Sequence, residues 1–175
     1  MKILTFLLLV VLAIGVSGLY GAVHDQISCS VSSEYFTKFK YHQFGVADKD
    51  APLRLNAASI GVRATWWMGI PIGLVVGAVG LIHPTARLMF GRTCWAFAAV
   101  AAVALAFGIW GLGKGWFMAS HDPVDYTGWF IPSDLENPRN FLAVGHMHNH
   151  SYLGGTVGIF VGIACQVFLR IRRTI

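Results

Sequence analysis

Four stretches of this chain carry no charged residue and are each long enough to cross a bilayer, a pattern that leaves few folds open. Spanning roughly 30 Å of hydrocarbon takes about 20 apolar residues, because a helix rises about 1.5 Å per residue. The stretches are residues 3–23, 64–82, 93–113 and 151–169. With no water in the hydrocarbon, every backbone polar group must bond within its own segment, so each stretch is expected to be a helix. Composition agrees, since 55% of the 175 residues are hydrophobic and only 12% are charged, too apolar for a soluble domain. The expected fold is all-α: an integral membrane four-helix bundle forming a single membrane domain over residues 1–175. Two extracytoplasmic loops, 24–63 and 114–150, contain short helices.

The first stretch has a rival reading. Lys2, an apolar core and small residues near Val16 and Gly18 also fit a cleavable signal peptide, which would leave three spans. An uncleaved anchor is the better fit, because the apolar run continues through Leu19 and Val23 and Tyr20 suits an interface.

Orientation follows from charge. With the amino terminus in the cytoplasm, the inner segments contain Lys2, Arg87, Arg92, Arg170, Arg172 and Arg173, and all eight acidic residues fall in the two external loops. The short basic loop around Arg87 and the basic cluster after the fourth stretch sit tight against membrane ends, where the positive-inside bias acts most strongly. Both termini are therefore expected in the cytoplasm. A net charge of +5 implies no nucleic-acid partner, since the basic residues form no dense patch. Trp66, Trp67, Trp95, Trp110 and Trp116 fall at the expected interfaces.

Small residues predict how the helices associate. Gly69, Gly73 and Gly77 recur every fourth residue in the second span, and Gly154, Gly158 and Gly162 in the fourth. Close backbone approach supplies helix association in lipid, so these stripes predict a compact bundle or contact with other membrane subunits or a second copy. In the loops, Ser32 or Ser33 can cap a short helix through Phe44, with Phe36 and Phe39 on a side that could lie on the membrane. Asp50 before Ala51–Pro52, and Asn137 before Pro138, are further helix-start signals.

The strongest chemical signal is histidine: six of seven lie on the loop side, and only His83 is inner. His146 and His150 are one helical turn apart, the spacing that lets two imidazoles share an ion, and they continue the stripe of Gly154 and Gly158. The metal site expected at the outer membrane surface is therefore His146 and His150, with His24 as third ligand. His148 lies about 200° around the helix and faces elsewhere. It is a weaker candidate, as are His121, Asp25 and Asp122. Imidazole with carboxylate suits zinc, copper, iron or manganese, and two facing imidazoles could also hold haem. The three cysteines are scattered and form no CxxC pair.

His24-Asp25-Gln26-Ile27-Ser28, the segment Glu34-Tyr35-Phe36-Thr37-Lys38-Phe39-Lys40, and the residues from Asn149 to Gly155 resemble a family of small bacterial multi-pass membrane proteins. That family is uncharacterised and often labelled only as signal-peptide-containing. This chain departs from it at Cys29 and Ser33, where its members more often carry tyrosine and proline. The resemblance implies a bacterial inner membrane and no particular activity.

Two functions fit these observations. The first is a structural or assembly component of a membrane complex, acting through its glycine faces and loops. The second is a metal- or haem-binding membrane protein. A transporter fits less well, because the spans lack the ionisable residues that usually line a pathway. Catalysis is left open, since no nucleophile motif, phosphate-binding loop or cofactor signature is present.

Overall fold

A computed structural model describes residues 1–46, 48–120 and 126–172. Those residues form α1 (Lys2–Val31), α2 (Tyr41–Gln43), α3 (Leu53–Thr65), α4 (Gly69–Val79), α5 (Ala86–Met118) and α6 (Pro138–Ile171). A π-helical turn, Tyr35–Lys40, runs into α2. Two tight 3₁₀ turns, Trp66–Met68 and Gly80–Ile82, join α3 to α4 and close α4, so that Leu53–Ile82 forms one membrane-spanning rod. The fold is all-α, with four long apolar membrane-spanning helices and an extra short helix between the first two spans.

The break in the second span has a local cause. Pro71 has no N–H for the carbonyl four residues back, and the turn before it tightens, with the Gly69 N–H reaching the Trp66 carbonyl. The Ala64 carbonyl beside the break accepts hydrogen bonds from Trp67 Nε1 at 2.8 Å and from the Tyr152 hydroxyl of α6 at 3.0 Å.

Two antiparallel pairs make the bundle: α5 lies along α6, and α1 lies along α3 and α4. The glycine stripes are the seams. A Cβ at Gly21 would fall on the Gly61 carbonyl, and one at Gly61 on the Gly21 carbonyl, so these two backbones touch with nothing between them. Gly69 faces Ala13 and Ile14, and Gly73 faces Val10; on the other seam Gly154 faces Ala104 and Phe107, and Gly158 faces Val100. Leu9, Ala13, Ile72, Val76, Met89 and Phe97 fill the middle of the bundle.

The helices run further than the apolar stretches, because a helix leaving the membrane keeps its own hydrogen bonds and needs no apolar side chains there. His24 and Asp25 are therefore inside α1, and His146, His148 and His150 inside α6, whose start is capped by Asn137 Oδ1 accepting from the Asn140 N–H at 3.0 Å. Ser32 Oγ accepts from the Tyr35 N–H at 3.2 Å and starts the π-helical turn. Phe36, expected on a membrane-facing side, is instead fully buried with Tyr35, Ile60, Phe141 and Val144 in a second apolar cluster at the loop end. Glu34 ties this turn to α6: its two carboxylate oxygens accept the N–H groups of Glu136 and Asn137, each at 2.9 Å.

Candidate metal centre

The run from Phe141 to His148 is buried on every side, because α6 at this level is enclosed by α5, α1, the π-helical turn and the 126–136 segment. The alternating histidines His146 and His148 consequently enter different environments. His148 faces α1, where it meets His24 and Asp25. The three side chains are 6%, 4% and 2% exposed, and one ligand atom from each lies within 4.8 Å of the other two. This is a buried cluster capable of coordinating a metal ion, rather than one laid open on the membrane surface.

Its internal geometry is specific. His24 Nδ1 lies 3.1 Å from Asp25 Oδ1, and His24 Nε2 lies 3.0 Å from Ser151 Oγ, which also accepts from the Tyr20 hydroxyl at 3.4 Å. His148 Nε2 is 3.7 Å from Asp25 Oδ1, beyond hydrogen-bond reach. Asp25 Oδ2 and His148 Nε2 are both buried without a hydrogen-bond partner. The His24 and His148 rings are 4.7 Å apart and nearly perpendicular, and the Tyr35 ring stacks on His148 at 5.1 Å.

Tyr35 and Phe36 close the centre on the loop side. On the other side it opens into a cavity of ≈ 60 Å³, with room for several water molecules. Tyr20, His24, Asp25, His148, Ser151 and Tyr152 are among the residues that line that cavity, and most of the other lining residues are apolar. Lys40 is buried nearby, its ammonium donating to Gln43 Oε1 at 2.9 Å and lying over the Tyr35, Phe39 and Phe44 rings. Burial lowers the pKa of Lys40, and the Asp25 charge opposes that shift.

His146 and His150 are neighbours on the α5 side of α6, with ring centroids 5.9 Å apart. The structure thus brings His24 together with Asp25 and His148, and His146 together with His150, on two different faces of α6. His121 and Asp122 lie outside the described residues. Ser151 was not singled out from the sequence and Tyr20 only as an interfacial residue, although a signal existed for Ser151: positions 148, 151, 152 and 155 repeat at helical spacing and share one face.

The architecture and centre define a multi-pass, helix-bundle membrane protein with a buried histidine–carboxylate cluster. Comparison with protein-family models, curated proteins and solved structures gives no match. The resemblance to small bacterial membrane proteins gains no support from these comparisons, and the functional reading rests on the geometry alone.

Proposed function

We propose that this chain is a metal-binding integral membrane protein whose ion is held between α1 and α6 by His24, Asp25 and His148. The supporting observation is that His24, Asp25 and His148 each bring a ligand atom within 4.8 Å of the others, while two buried atoms of the group, Asp25 Oδ2 and His148 Nε2, lack a hydrogen-bond partner. Leaving such groups unpaired in a low-dielectric interior costs about 1–3 kcal/mol each, and more for a charge. A cation removes both costs at once. Two imidazoles with one carboxylate suit a divalent first-row ion such as zinc, iron or manganese, with open coordination positions toward the cavity. His24 would ligate through Nδ1 while Nε2–H donates to Ser151, the outer-shell bond that fixes a ligand's tautomer.

The structural or assembly reading has less support, because the glycine stripes that suggested partner contact pack against α1 and α5 of the same chain. Haem fits the centre less well than a bare ion, since a carboxylate stands among the ligands. The chain acts in this reading as one membrane domain with an uncleaved α1, which supplies two of three ligands. The loop end is external and both termini are cytoplasmic, as the basic segments suggest.

The test is metal content of protein purified in mild detergent, stripped with chelator and reloaded with one divalent ion at a time. Wild-type protein should take up an ion that Asp25→Asn and His148→Ala do not hold, with all three folded by circular dichroism. A wild type that binds no first-row ion, or variants that bind it equally well, would overturn the assignment.

A further inference from the structure

The described residues contain four buried side-chain polar atoms without a hydrogen-bond partner, and they fall into two pairs. Asp25 Oδ2 and His148 Nε2 belong to the centre above. The others, His146 Nε2 and the Tyr126 hydroxyl oxygen, lie on the opposite face of α6, with their rings 5.9 Å apart. We propose that His146 and His150 form a second metal site there, with the Tyr126 hydroxyl as third donor.

The two imidazoles are laid in a trough cut into α5. A Cβ at Gly111 would stand 2.6 Å from His150 Cβ and 2.7 Å from the His146 carbonyl oxygen, and a Cβ at Gly115 would stand 3.0 Å from His146 Cβ. Only glycine at these two positions, one turn apart, leaves room for the rings.

The tautomer of His150 is set for ligation. Its Nδ1–H donates to the His146 carbonyl at 2.8 Å, so the lone pair is on Nε2. A ligating histidine ordinarily donates its other N–H to a backbone carbonyl or carboxylate in this way. An ion about 2.0–2.1 Å from each nitrogen puts the two ring centroids roughly 5–6 Å apart. Here they are 5.9 Å apart.

Aromatic rings wall the site. Trp129 lies 5.0 Å from the His146 ring and against Gly145, and Trp110 lies 4.9 Å from the His150 ring. Tyr126 and Trp129 are joined by a turn in which the Trp129 N–H donates to the Tyr126 carbonyl at 2.9 Å. That turn needs the positive φ of Gly128, and it holds both rings over His146. Two imidazoles and a phenol oxygen, with no carboxylate in the set, favour a late first-row ion, copper(II) or zinc(II), over magnesium or calcium. The alternating run His146-Met147-His148-Asn149-His150 would then serve two sites on opposite faces of one helix.

Metal per chain is counted on detergent-purified protein stripped and reloaded separately with zinc(II) and copper(II), and the copper is examined by electron paramagnetic resonance. Wild type should hold two ions, and the pair His146→Asn with His150→Gln only one, with the remaining copper spectrum unchanged from that of the first centre. His148→Ala should lose the first ion and keep the second, with coupling to two nitrogens. Tyr126→Phe removes one oxygen and should weaken the second ion about tenfold or more, the scale of losing a supporting contact; it keeps the test open if the histidine pair does not fold. Retention of both ions by the His146/His150 pair variant, or a second copper without imidazole coupling, overturns the second site alone. A single ion that His148→Ala removes does the same, and a wild type free of metal overturns both sites.

Discussion

His148 Nε2 faces Asp25 Oδ1 across the α1–α6 contact at 3.7 Å, too far for a hydrogen bond and too close for either group to be solvated by bulk water. The two residues are 123 positions apart in the chain, and both are on helices whose lower halves are held by close packing. In the metal-binding reading proposed above, a small cation held here would give His148 Nε2 and Asp25 Oδ2 the partner that each lacks.

Metal binding should therefore appear as stability. An ion that binds only the folded state at a free concentration 100 times its dissociation constant adds about 2.7 kcal/mol. Thermal unfolding in detergent should shift upward with ion concentration for wild type and by clearly less for His148→Ala, which loses the ion between α1 and α6. An equal shift in both proteins would locate the bound ion elsewhere.

The tightest seam gives a second expectation. Gly21→Ala or Gly61→Ala places a methyl group on the opposing carbonyl, so α1 and α3 must separate along their length. The cost should exceed the 1–3 kcal/mol typical of an overpacked core side chain. Gly113→Ala is the control, since nothing lies within 4 Å of its would-be Cβ. Comparable stability of Gly21→Ala and Gly113→Ala would show that the two backbones have room to move.

The stripes Gly69/Gly73 and Gly154/Gly158 were legible in the sequence, because a period of four identifies a helix face and lipid rewards close approach. In the first span Ser17 and Gly21 offer small residues at this spacing, and Gly61, the partner of Gly21, was not legible because it belongs to a helical stretch too polar to register as a span. The same blindness hid the true setting of His24 and Asp25: hydropathy marks where a helix is in lipid, not where it ends. The angular argument that sent His148 away from His146 was sound. What sequence could not supply was that α6 is enclosed on both faces at this level, so that the direction away from His146 leads to α1 and a carboxylate.

Orientation can be checked directly. A reporter fused after Ile175 should behave as cytoplasmic, and one inserted near Lys49, in the exposed loop before α3, as exported. Export of the carboxy-terminal reporter would invert the assignment and place the metal centre near the cytoplasmic face.

At the end opposite the long loops, His83, Thr93 and Gln166 are fully buried and fully bonded. Arg92 donates to His83 Nδ1 at 3.0 Å, which leaves the proton on Nε2 to reach Gln166 Oε1 at 2.7 Å; Gln166 Nε2 in turn donates to Thr93 Oγ1 at 2.7 Å and the Val76 carbonyl at 3.2 Å. Gln166→Leu should cost about 1–3 kcal/mol by stranding its partners. Burial, with Arg92, Arg170 and Lys2 adding repulsion and Gln166 opposing, holds His83 below its ordinary 6.5. Its neutral form is thus the folded one, and its contribution is present above that pH and lost as pH falls below it. If His83→Gln left the stability profile around this pH unchanged, the network would not be its source.

Glu34 offers a separate pH signature at the loop end. Its carboxylate is held down to about 2, against an ordinary 4.5, by Lys38 at 2.8 Å and by the N–H groups of Glu136 and Asn137. The Asn137 contact sits at the start of α6, where the helix dipole also favours negative charge. A depressed carboxyl contributes stability that is complete above its unfolded value of 4.5 and is lost as pH falls toward 2. What is lost is the tie between the π-helical turn and α6, and that turn carries the Tyr35 ring stacked on His148. Glu34→Gln should therefore reproduce at neutral pH part of what acid does to the wild type. The Tyr35–Phe36 cover should loosen, amides of residues 35–40 should exchange faster, and a bound ion should leave more quickly, while the number of ions at saturation stays the same. Measuring ion release after adding chelator, in wild type and Glu34→Gln at neutral pH, separates this from loss of the site. Equal release rates would mean that the cover is held by its buried aromatic contacts alone.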